Sequence, residues 1–378
     1  MSRLSVLRAE QEEGWQAVLG RVRQHDFYHA PSYHLLAEKG GEGEASLFVY
    51  EDGDRFVALP LLIRPIETVP GLEVAGRGLY DATSVYGYAG PLTSRAELSD
   101  EFLDDFRRAL IAALRQARVV TVFSRLHPLI DQRHVLSGLG ESQVIGCTIS
   151  IDLTLPADVQ FSQYHKSHRY EINRLRRMGA ACQEDTELRH LDEFVVMYTD
   201  AMKRANAAKK YFFEREYFQD IAGMLCAHLF ICTLGGETAC GGIFMLCDGI
   251  VQYHLSGWRS EFQKLAPTKL LIDGVRLWAN DKKATVLHLG GGLGSRRDSL
   301  FQFKAGFSDR RHDFLVWRWV VEPGAYERLC SAKEIWNRRN GLNCAPPDYF
   351  PAYRATAASV EDARVRDISR SKIDTRGV

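Results

Sequence analysis

Ile250-Val-Gln-Tyr-His-Leu-Ser-Gly-Trp258 is the stretch that decides the fold, because its length and its apolar, aromatic content are typical of a buried strand. Pro267 follows at the start of a helical pattern, where its missing N–H costs nothing. Thr285–Leu289 then predicts a second short strand. Strand, helix and strand in this order form a parallel crossover, so we expect the two strands to lie side by side. Ligands bind at the carboxyl ends of such strands, here near Trp258 and Gly290.

A glycine run and a basic aromatic motif complete this stretch. The second strand ends at Gly290-Gly-Gly292, and Phe303-Lys-Ala-Gly-Phe307 follows a few residues later. Lys304 is a lone cation between two aromatic residues, a setting that suits the stabilisation of a developing oxyanion. A lysine whose stem packs in an aromatic loop while its head reaches solvent is the structural alternative.

The sequence resembles a known family through four features in this order. They are Tyr-His-Leu-Ser-Gly at 253–257, the proline before a helix, Leu-Gly-Gly-Gly at 289–292 and Phe-Lys-x-Gly-Phe at 303–307. Together they are similar to the FemAB/FemX-type transferases of the GNAT acyltransferase superfamily, of which the CelD/BcsL-like acetyltransferases are a sister branch. The resemblance covers most of residues 20–325. It implies acyl transfer to an amine, with aminoacyl-tRNA as the donor and Lys304 as the group that stabilises the tetrahedral intermediate.

Composition limits the classes of protein. The chain has 378 residues with a formal net charge of zero, so it is long enough for two domains and carries no global basic field. Its eight cysteines include no C-x-x-C pair, which argues against a zinc site and for a reducing compartment. No apolar signal core or membrane-spanning run is visible. We therefore expect a cytoplasmic protein without a metal, a tightly bound cofactor or a membrane span, and the oligomeric state stays open.

The order of predicted elements repeats. Each half reads as a helical entry, a β-hairpin, a further strand, a helix and a strand, although no repeat is visible residue by residue. This order fits an α/β (α+β) protein with a duplicated GNAT-like fold, in which two mixed-sheet units carry flanking helices. The predicted domains are residues 1–155 on the acceptor side, 156–350 with the acyl-donor site, and a disordered tail at 351–378.

A tyrosine-rich loop between Tyr80 and Pro91 is the predicted acceptor site. Tyrosine offers a flat face and a hydroxyl, which suits a sugar or amino compound, so Asp81, Tyr86 and Tyr88 are expected to bind the acceptor. Related transferases carry a similar Tyr-Gly-Tyr-x-Gly-Pro stretch. The alternative is a rigid turn whose tyrosines cover a core.

Residues 165–179 form a basic segment with five Lys or Arg side chains and one Glu. Such clusters bind phosphates, and arginine holds them bidentately, so Lys166, Arg169 and Arg176 are predicted to contact a phosphate-bearing substrate. A solvated basic face is the alternative. The resembled family carries an Arg-x-x-Ile-Arg-like pattern here, and Asn173 stands in place of its second arginine.

Other side chains near the two crossover strands complete the predicted site. His254 and His288 are candidate proton acceptors, with a hydrogen-bonded core histidine as the alternative for each. Ser256 is not set in a nucleophile elbow, which argues against a hydrolase triad. Tyr253 and Phe303 are expected to contact the substrate.

The loop before the predicted helix bears on the donor. Residues 259–269 contain no glycine to cradle a pyrophosphate, but Lys264 and Lys269 add positive charge beside a helix start. This composition favours the phosphates of a nucleic acid, so the first hypothesis is aminoacyl-tRNA-dependent transfer to an amine of a small-molecule or glycan-linked, cell-envelope precursor. An acyl-CoA-dependent N-acyltransferase of envelope-polysaccharide or natural-product biosynthesis is the second, and a non-catalytic RNA- or glycan-binding protein is the third.

Overall fold

The computed structural model describes residues 3–95, 97–131, 133–343, 345–346 and 348–356. The strands are β1 Arg3–Arg8, β2 Glu44–Asp52, β3 Arg55–Pro65, β4 Tyr80–Thr83, β5 Leu92–Thr93, β6 Val119–Arg125, β7 Glu141–Asp152, β8 Ala181–Glu184, β9 Ala227–Leu234, β10 Glu237–Cys247, β11 Ile250–Trp258, β12 Val286–Gly290 and β13 Arg311–Val320. The helices are α1 Glu12–Leu19, α2 Pro31–Lys39, α3 Asp100–Gln116, α4 Ala157–Ser162, α5 Lys166–Arg177, α6 Leu191–Arg204, α7 Arg215–Ala222, α8 Thr268–Asp281, α9 Ser299–Ala305 and α10 Pro323–Arg339.

All the strands belong to one mixed sheet, in the order β1-β2-β3-β4-β6-β13-β7-β12-β11-β10-β9-β8, with the short β5 beside β3. In the N-terminal unit β1 to β4 pair antiparallel and β6 pairs parallel with β4. In the C-terminal unit β8 to β11 pair antiparallel and β12 pairs parallel with β11. The predicted duplication of a mixed α/β fold is therefore confirmed, within one continuous sheet.

The last strand of each unit is exchanged with the other unit. Strand β7 follows β6 in the chain but pairs with β12, while β13 follows β12 but pairs with β6. The two exchanged strands pair antiparallel with each other at the centre of the sheet. The division at residue 155 stays a prediction. Strand β7, before this residue, completes the C-terminal unit, and strand β13, after it, completes the N-terminal unit.

Helices cover both faces of the sheet because each contributes an apolar stripe to one core. Helices α1, α2, α6 and α7 share a single core on one face, which spans both units. On the other face α3 covers the N-terminal unit, and α5, α8 and α9 cover the C-terminal unit. Ser99 caps α3 by accepting a hydrogen bond from the Phe102 amide, as its sequence predicts.

The strand and helix predicted after Ile250 are confirmed, since β11 has the expected bounds and α8 begins directly after Pro267. One local expectation is wrong: residues 3–8 form an edge strand within the helical entry that was expected for the first half. The Phe-Lys-x-Gly-Phe motif begins within α9. Of the predicted tail, residues 351–356 are described and Tyr353 is fully buried, so its first residues pack on the fold; residues 357–378 lie outside the described part.

Candidate active site

The C-terminal unit opens where its two parallel strands diverge. Strands β11 and β12 are in register over three residue pairs, of which Gln252 with His288 is the last. Beyond that pair β11 carries an irregularity against β10 that leaves His254 out of register. Strand β12 ends at Gly290, whose φ of 75° lies in the left-handed region that favours glycine. The divergence leaves a gap at the carboxyl ends of the strands, where ligands of such folds bind.

Lys304 points into this gap from α9. It is 8% exposed, and its Nζ donates a hydrogen bond to the Gly291 carbonyl at 2.8 Å. The same nitrogen lies 5.7 Å from the centre of the Tyr253 ring. Burial lowers the Lys304 pKa to about 8, against the opposing charge of Asp298. The side chain is a desolvated cation whose charge is sensitive to its surroundings near neutral pH.

Tyr88, a residue of the N-terminal unit, lies at the same gap. Its ring lies edge-on to His288 and to Phe314, at centroid distances of 5.3 and 5.1 Å. A Cβ built on Gly290 would lie 3.3 Å from the Lys304 Nζ and 3.6 Å from the Tyr88 hydroxyl, so both polar groups flank this glycine. The predicted acceptor residue and the predicted catalytic lysine therefore meet, and the site is shared by the two units.

A buried polar network lies beneath the gap. The Asp26 carboxylate accepts hydrogen bonds from Gln252 Nε2 at 2.6 Å and from His127 Nε2 at 2.8 Å. Gln252 Oε1 then contacts His288 Nδ1 at 2.6 Å, and His288 Nε2 contacts the Thr148 hydroxyl at 2.8 Å. The network joins the segment before α2 to β11, β12 and β7. It therefore fixes the end of the parallel pairing from which the gap opens.

This network argues against His288 as the proton acceptor. Because Gln252 gives its N–H to Asp26, its oxygen faces His288 and requires an N–H at Nδ1. Nε2 is then the acceptor for the Thr148 hydroxyl, and no lone pair of the ring is left for a substrate. Burial lowers the His288 pKa well below its usual value, which keeps the ring neutral. His288 corresponds to the core-histidine alternative.

His254 does not reach the lysine either. Tyr253 stacks on Phe244 on the face covered by α8, whereas His254 packs edge-on against the rings of Phe27 and Tyr33 on the opposite face. Its Nε2 is buried and has no hydrogen-bond partner among the described residues, and burial lowers its pKa to about 4. The structure thus separates His254 from the group with which it was expected to act.

The Phe-Lys-x-Gly-Phe motif holds α5 against the site. His168 of α5 donates from Nε2 to the Phe303 carbonyl at 2.9 Å and lies edge-on to Phe307 at 4.7 Å. A Cβ on Gly306 would come within 2.3 Å of the His168 ring, so only glycine fits there. Phe303 itself is half-buried between His168 and Phe307. The motif couples the basic helix to the lysine through packing.

The outer face of α5 lines an open groove of about 370 Å³. Lys166, Arg169 and Tyr170 form one wall and Phe161 of α4 contributes to the other. Tyr170 is 61% exposed, so an unpaired aromatic face stands beside two cations. This combination can bind phosphates and stack a base.

The other predicted phosphate ligands are engaged elsewhere. Arg176 forms an ion pair with the buried Asp273 at 2.5 Å, and Lys269 is buried in an ion pair with Glu171. Their charges are therefore neutralised within the fold, contrary to expectation. Lys264 is exposed in the turn before α8.

Asp81 and Tyr86, both predicted to bind the acceptor, have different environments in the structure. Asp81 is fully buried and accepts from Arg64 at 2.7 Å and from Tyr353 at 3.1 Å, so it has a structural role instead of contacting an acceptor. Tyr86 is 45% exposed, and its ring packs edge-to-face with that of Tyr211 at a centroid distance of 6.0 Å. Tyr86 remains available to a ligand.

Sequence reasoning missed the polar network and one cation. None of Asp26, His127 and Gln252 was predicted to belong to the site, because the partners of Asp26 lie 101 and 226 residues away. Arg125 also lies at the edge of the site. No local pattern could have identified these residues. Within the described residues, no group of three or more His, Cys, Asp or Glu side chains is arranged to hold a metal ion.

Comparison with known proteins agrees with the fold. Residues 162–304 match the family model described as an acetyltransferase (GNAT) domain. The structure is similar to that of FemX with a TM-score of 0.66 at 12% identity, over 86% of this chain and 99% of FemX. It is also similar to L-PGS from Bacillus licheniformis, with a TM-score of 0.52 at 13% identity over 86% of this chain and 97% of that one.

A third similar structure is the C-terminal domain of a putative lysylphosphatidylglycerol synthetase from Agrobacterium fabrum. Its TM-score is 0.53 at 14% identity, over 88% of this chain and 96% of that one. No curated protein matches the sequence. Among the helices in the described ranges, none combines the length and apolarity that crossing a bilayer requires.

Proposed function

We propose that this chain, with its GNAT acyltransferase domain match in a FemX-like fold, transfers an aminoacyl group from aminoacyl-tRNA to an amine and forms an amide. The observation that carries the proposal is Lys304, a buried cation in the gap between β11 and β12. A cation in a site with little water is worth most where negative charge develops in the transition state.

The reaction needs little beyond position and charge. The amine nitrogen attacks the ester carbonyl, and the carbonyl oxygen becomes an oxyanion beside the Lys304 ammonium. The intermediate then collapses, the ester C–O bond breaks, and the proton lost by the amine ends on the departing ribose hydroxyl. Because the ester is already activated, holding amine and carbonyl in contact supplies much of the rate. Tyr88 stands on the other side of Gly290 and can orient the amine by its hydroxyl.

The donor assignment rests on where positive charge is free. The loop before α8 has no glycine, and the charge of Lys269 is paired with Glu171. This loop therefore offers neither a glycine cradle nor the Lys269 charge to a buried pyrophosphate. The groove along α5 instead offers Lys166, Arg169 and an exposed Tyr170 on an open surface. An open basic and aromatic surface suits the phosphates and bases of a nucleic acid.

An acyl-CoA donor is the second candidate. It is favoured by the match of residues 162–304 to an acetyltransferase domain. In that case the thioester carbonyl would meet Lys304 in the same gap, and the acceptor would be an amine of an envelope polysaccharide or a small molecule.

The test supplies each donor with a mixture of small primary amines. Protein is incubated with aminoacyl-tRNA bearing a labelled amino acid and, separately, with labelled acetyl-CoA, and labelled amide is measured. We expect amide from the tRNA ester, in amounts that fall in Lys304→Met. Amide from acetyl-CoA alone establishes the second candidate, and binding of either donor without amide establishes a non-catalytic protein.

A further inference from the structure

Arg125 is a cation at the edge of the gap that the reaction described above does not use. It ends β6, the strand that runs parallel to β4, so it stands where the N-terminal unit would bind a ligand. Its guanidinium lies 5.2 Å from the centre of the Phe123 ring and 5.9 Å from that of Tyr86. Two aromatic rings thus hold a half-buried guanidinium in place.

Among the described residues, no carboxylate forms an ion pair with the Arg125 guanidinium. The side-chain groups that hydrogen-bond to Arg125 contact its main chain: its N–H donates to Ser84 Oγ and its carbonyl accepts from Ser124 Oγ. Arg64, another half-buried arginine of the N-terminal unit, does have an ion pair, with Asp81. A stacked arginine without a carboxylate is prepared to take an oxyanion bidentately.

The loop between β4 and β5 connects this cation to the reaction centre. Tyr86 and Tyr88 lie on either side of Gly87, whose φ is 120° and whose missing Cβ leaves room for the ring of Tyr28, 2.0 Å from the Cβ position. One tyrosine faces Arg125 and the other faces Lys304. Burial raises the Tyr88 pKa and the Arg125 charge opposes that rise, which agrees with a guanidinium near the hydroxyl.

We propose that Arg125 recognises an oxyanion on the acceptor, and that the acceptor is an amine that also carries a carboxylate or a phosphate. The proposal rests on the proposed function, because it places the amine beside Tyr88 and Lys304. Tyr86 and Tyr211, whose rings pack edge-to-face with centroids 6.0 Å apart, form the wall between the anion and the amine. The neutral part of such an acceptor can lie against this exposed aromatic surface.

Binding of matched amines tests the assignment without any donor. Glucosamine 6-phosphate is compared with glucosamine, and alanyl-alanine with its C-terminal amide, by NMR titration at millimolar concentration. We expect one anionic member to bind about tenfold or more tightly than its neutral partner, the scale of a charge-assisted hydrogen bond. The phosphate and carboxylate pairs distinguish the two sources of the oxyanion.

Variants assign the preference to one residue. Arg125→Gln should remove it, and Arg125→Lys should weaken it several-fold because a point charge replaces a planar fork. Arg108→Gln, an exposed site on α3, and Lys304→Met should both keep it. Equal binding of anionic and neutral amines, no binding at all, or an unchanged preference in both Arg125 variants overturns the inference. Failure to form amide from any donor bears only on the proposed function, since this readout needs no transfer.

Discussion

The two units of the sheet share the same order and direction of paired strands, but the ends of their parallel strands differ in structure. In the C-terminal unit β11 and β12 part after three residue pairs, and the gap receives Lys304 from within and Tyr88 from the other unit. In the N-terminal unit strand β4 corresponds to β11 and carries Asp81. This carboxylate accepts hydrogen bonds from Arg64, Tyr353 and Arg354. In the N-terminal unit the buried charge of Asp81 is paired within the fold, whereas in the C-terminal unit the buried charge of Lys304 has no such ion pair among the described residues.

The largest expected effect comes from removing the charge in the open unit. Lys304→Met keeps the length of the side chain, and the single-turnover rate with saturating donor should fall by about 10² to 10³, the scale for one lost oxyanion donor. Donor affinity should change little, because the negative charge exists only in the transition state.

A thermal melt is the control for this variant. Burial of the cation lowers the Lys304 pKa, so the folded protein gains nothing from the charge at neutral pH, and the methionine variant should melt at the same temperature or higher. Near-normal turnover with a normal melt would mean that the lysine only packs in the gap.

The matching change in the closed unit should affect stability instead. Asp81→Asn leaves two arginines facing a neutral amide, and we expect a loss of about 2 to 3 kcal/mol in the free energy of unfolding, below the range for a fully buried pair because both arginines reach solvent. Denaturant titration measures it. Asp54→Asn, an exposed partner of Arg95, should change stability by less than about 0.5 kcal/mol. A large loss of rate per folded Asp81→Asn molecule would instead place this carboxylate in the chemistry.

The pH dependence of the rate distinguishes a cationic Lys304 from a neutral one. The ammonium is lost as pH rises through its pKa of about 8, so the rate should fall about tenfold per pH unit above that value. The measurement uses an acceptor amine whose own pKa lies well below 7, so that its ionisation stays constant. Lys304→Arg should be slower at neutral pH and should lack this alkaline limb. A rate that rises through pH 8 would indicate that the neutral amine is the active form.

The smallest effect is expected on the outer face of α5. The double variant Lys166→Ala, Arg169→Ala should weaken tRNA binding several-fold. The slope of log affinity against log salt concentration should become less steep by about one to two. Both side chains lie on an open groove, so the melting temperature should hardly change. Arg108→Ala on α3 is the control for loss of an exposed arginine. Unchanged affinity and salt slope would leave α5 as a solvated basic helix.

Local patterns predicted the elements well and the contacts poorly. The strand from Ile250 and the helix after Pro267 depend on neighbours in the sequence, and both are confirmed. The duplication was visible as a repeated order of elements, but the exchange of β7 and β13 depends on pairing between strands far apart in the chain.

The site shows the same limit. Lys304 and Tyr88 were selected by local motifs, and the structure brings them together. Arg176, Lys269 and Asp81 carried the same kind of signal, but buried partners from other elements neutralise them. Whether a charge is free or paired is decided by tertiary contacts, which the sequence around it does not contain.

The exchanged strands also constrain how the chain is made. During synthesis β6 is complete at residue 125, but its neighbour β13 is not finished until residue 320. The nascent N-terminal unit must wait with an open sheet edge, which is a template for pairing with another chain. Strand β7 waits in the same way for β12. The two units therefore reach their final form together, and fragments expressed separately would each lack the strand that the other supplies.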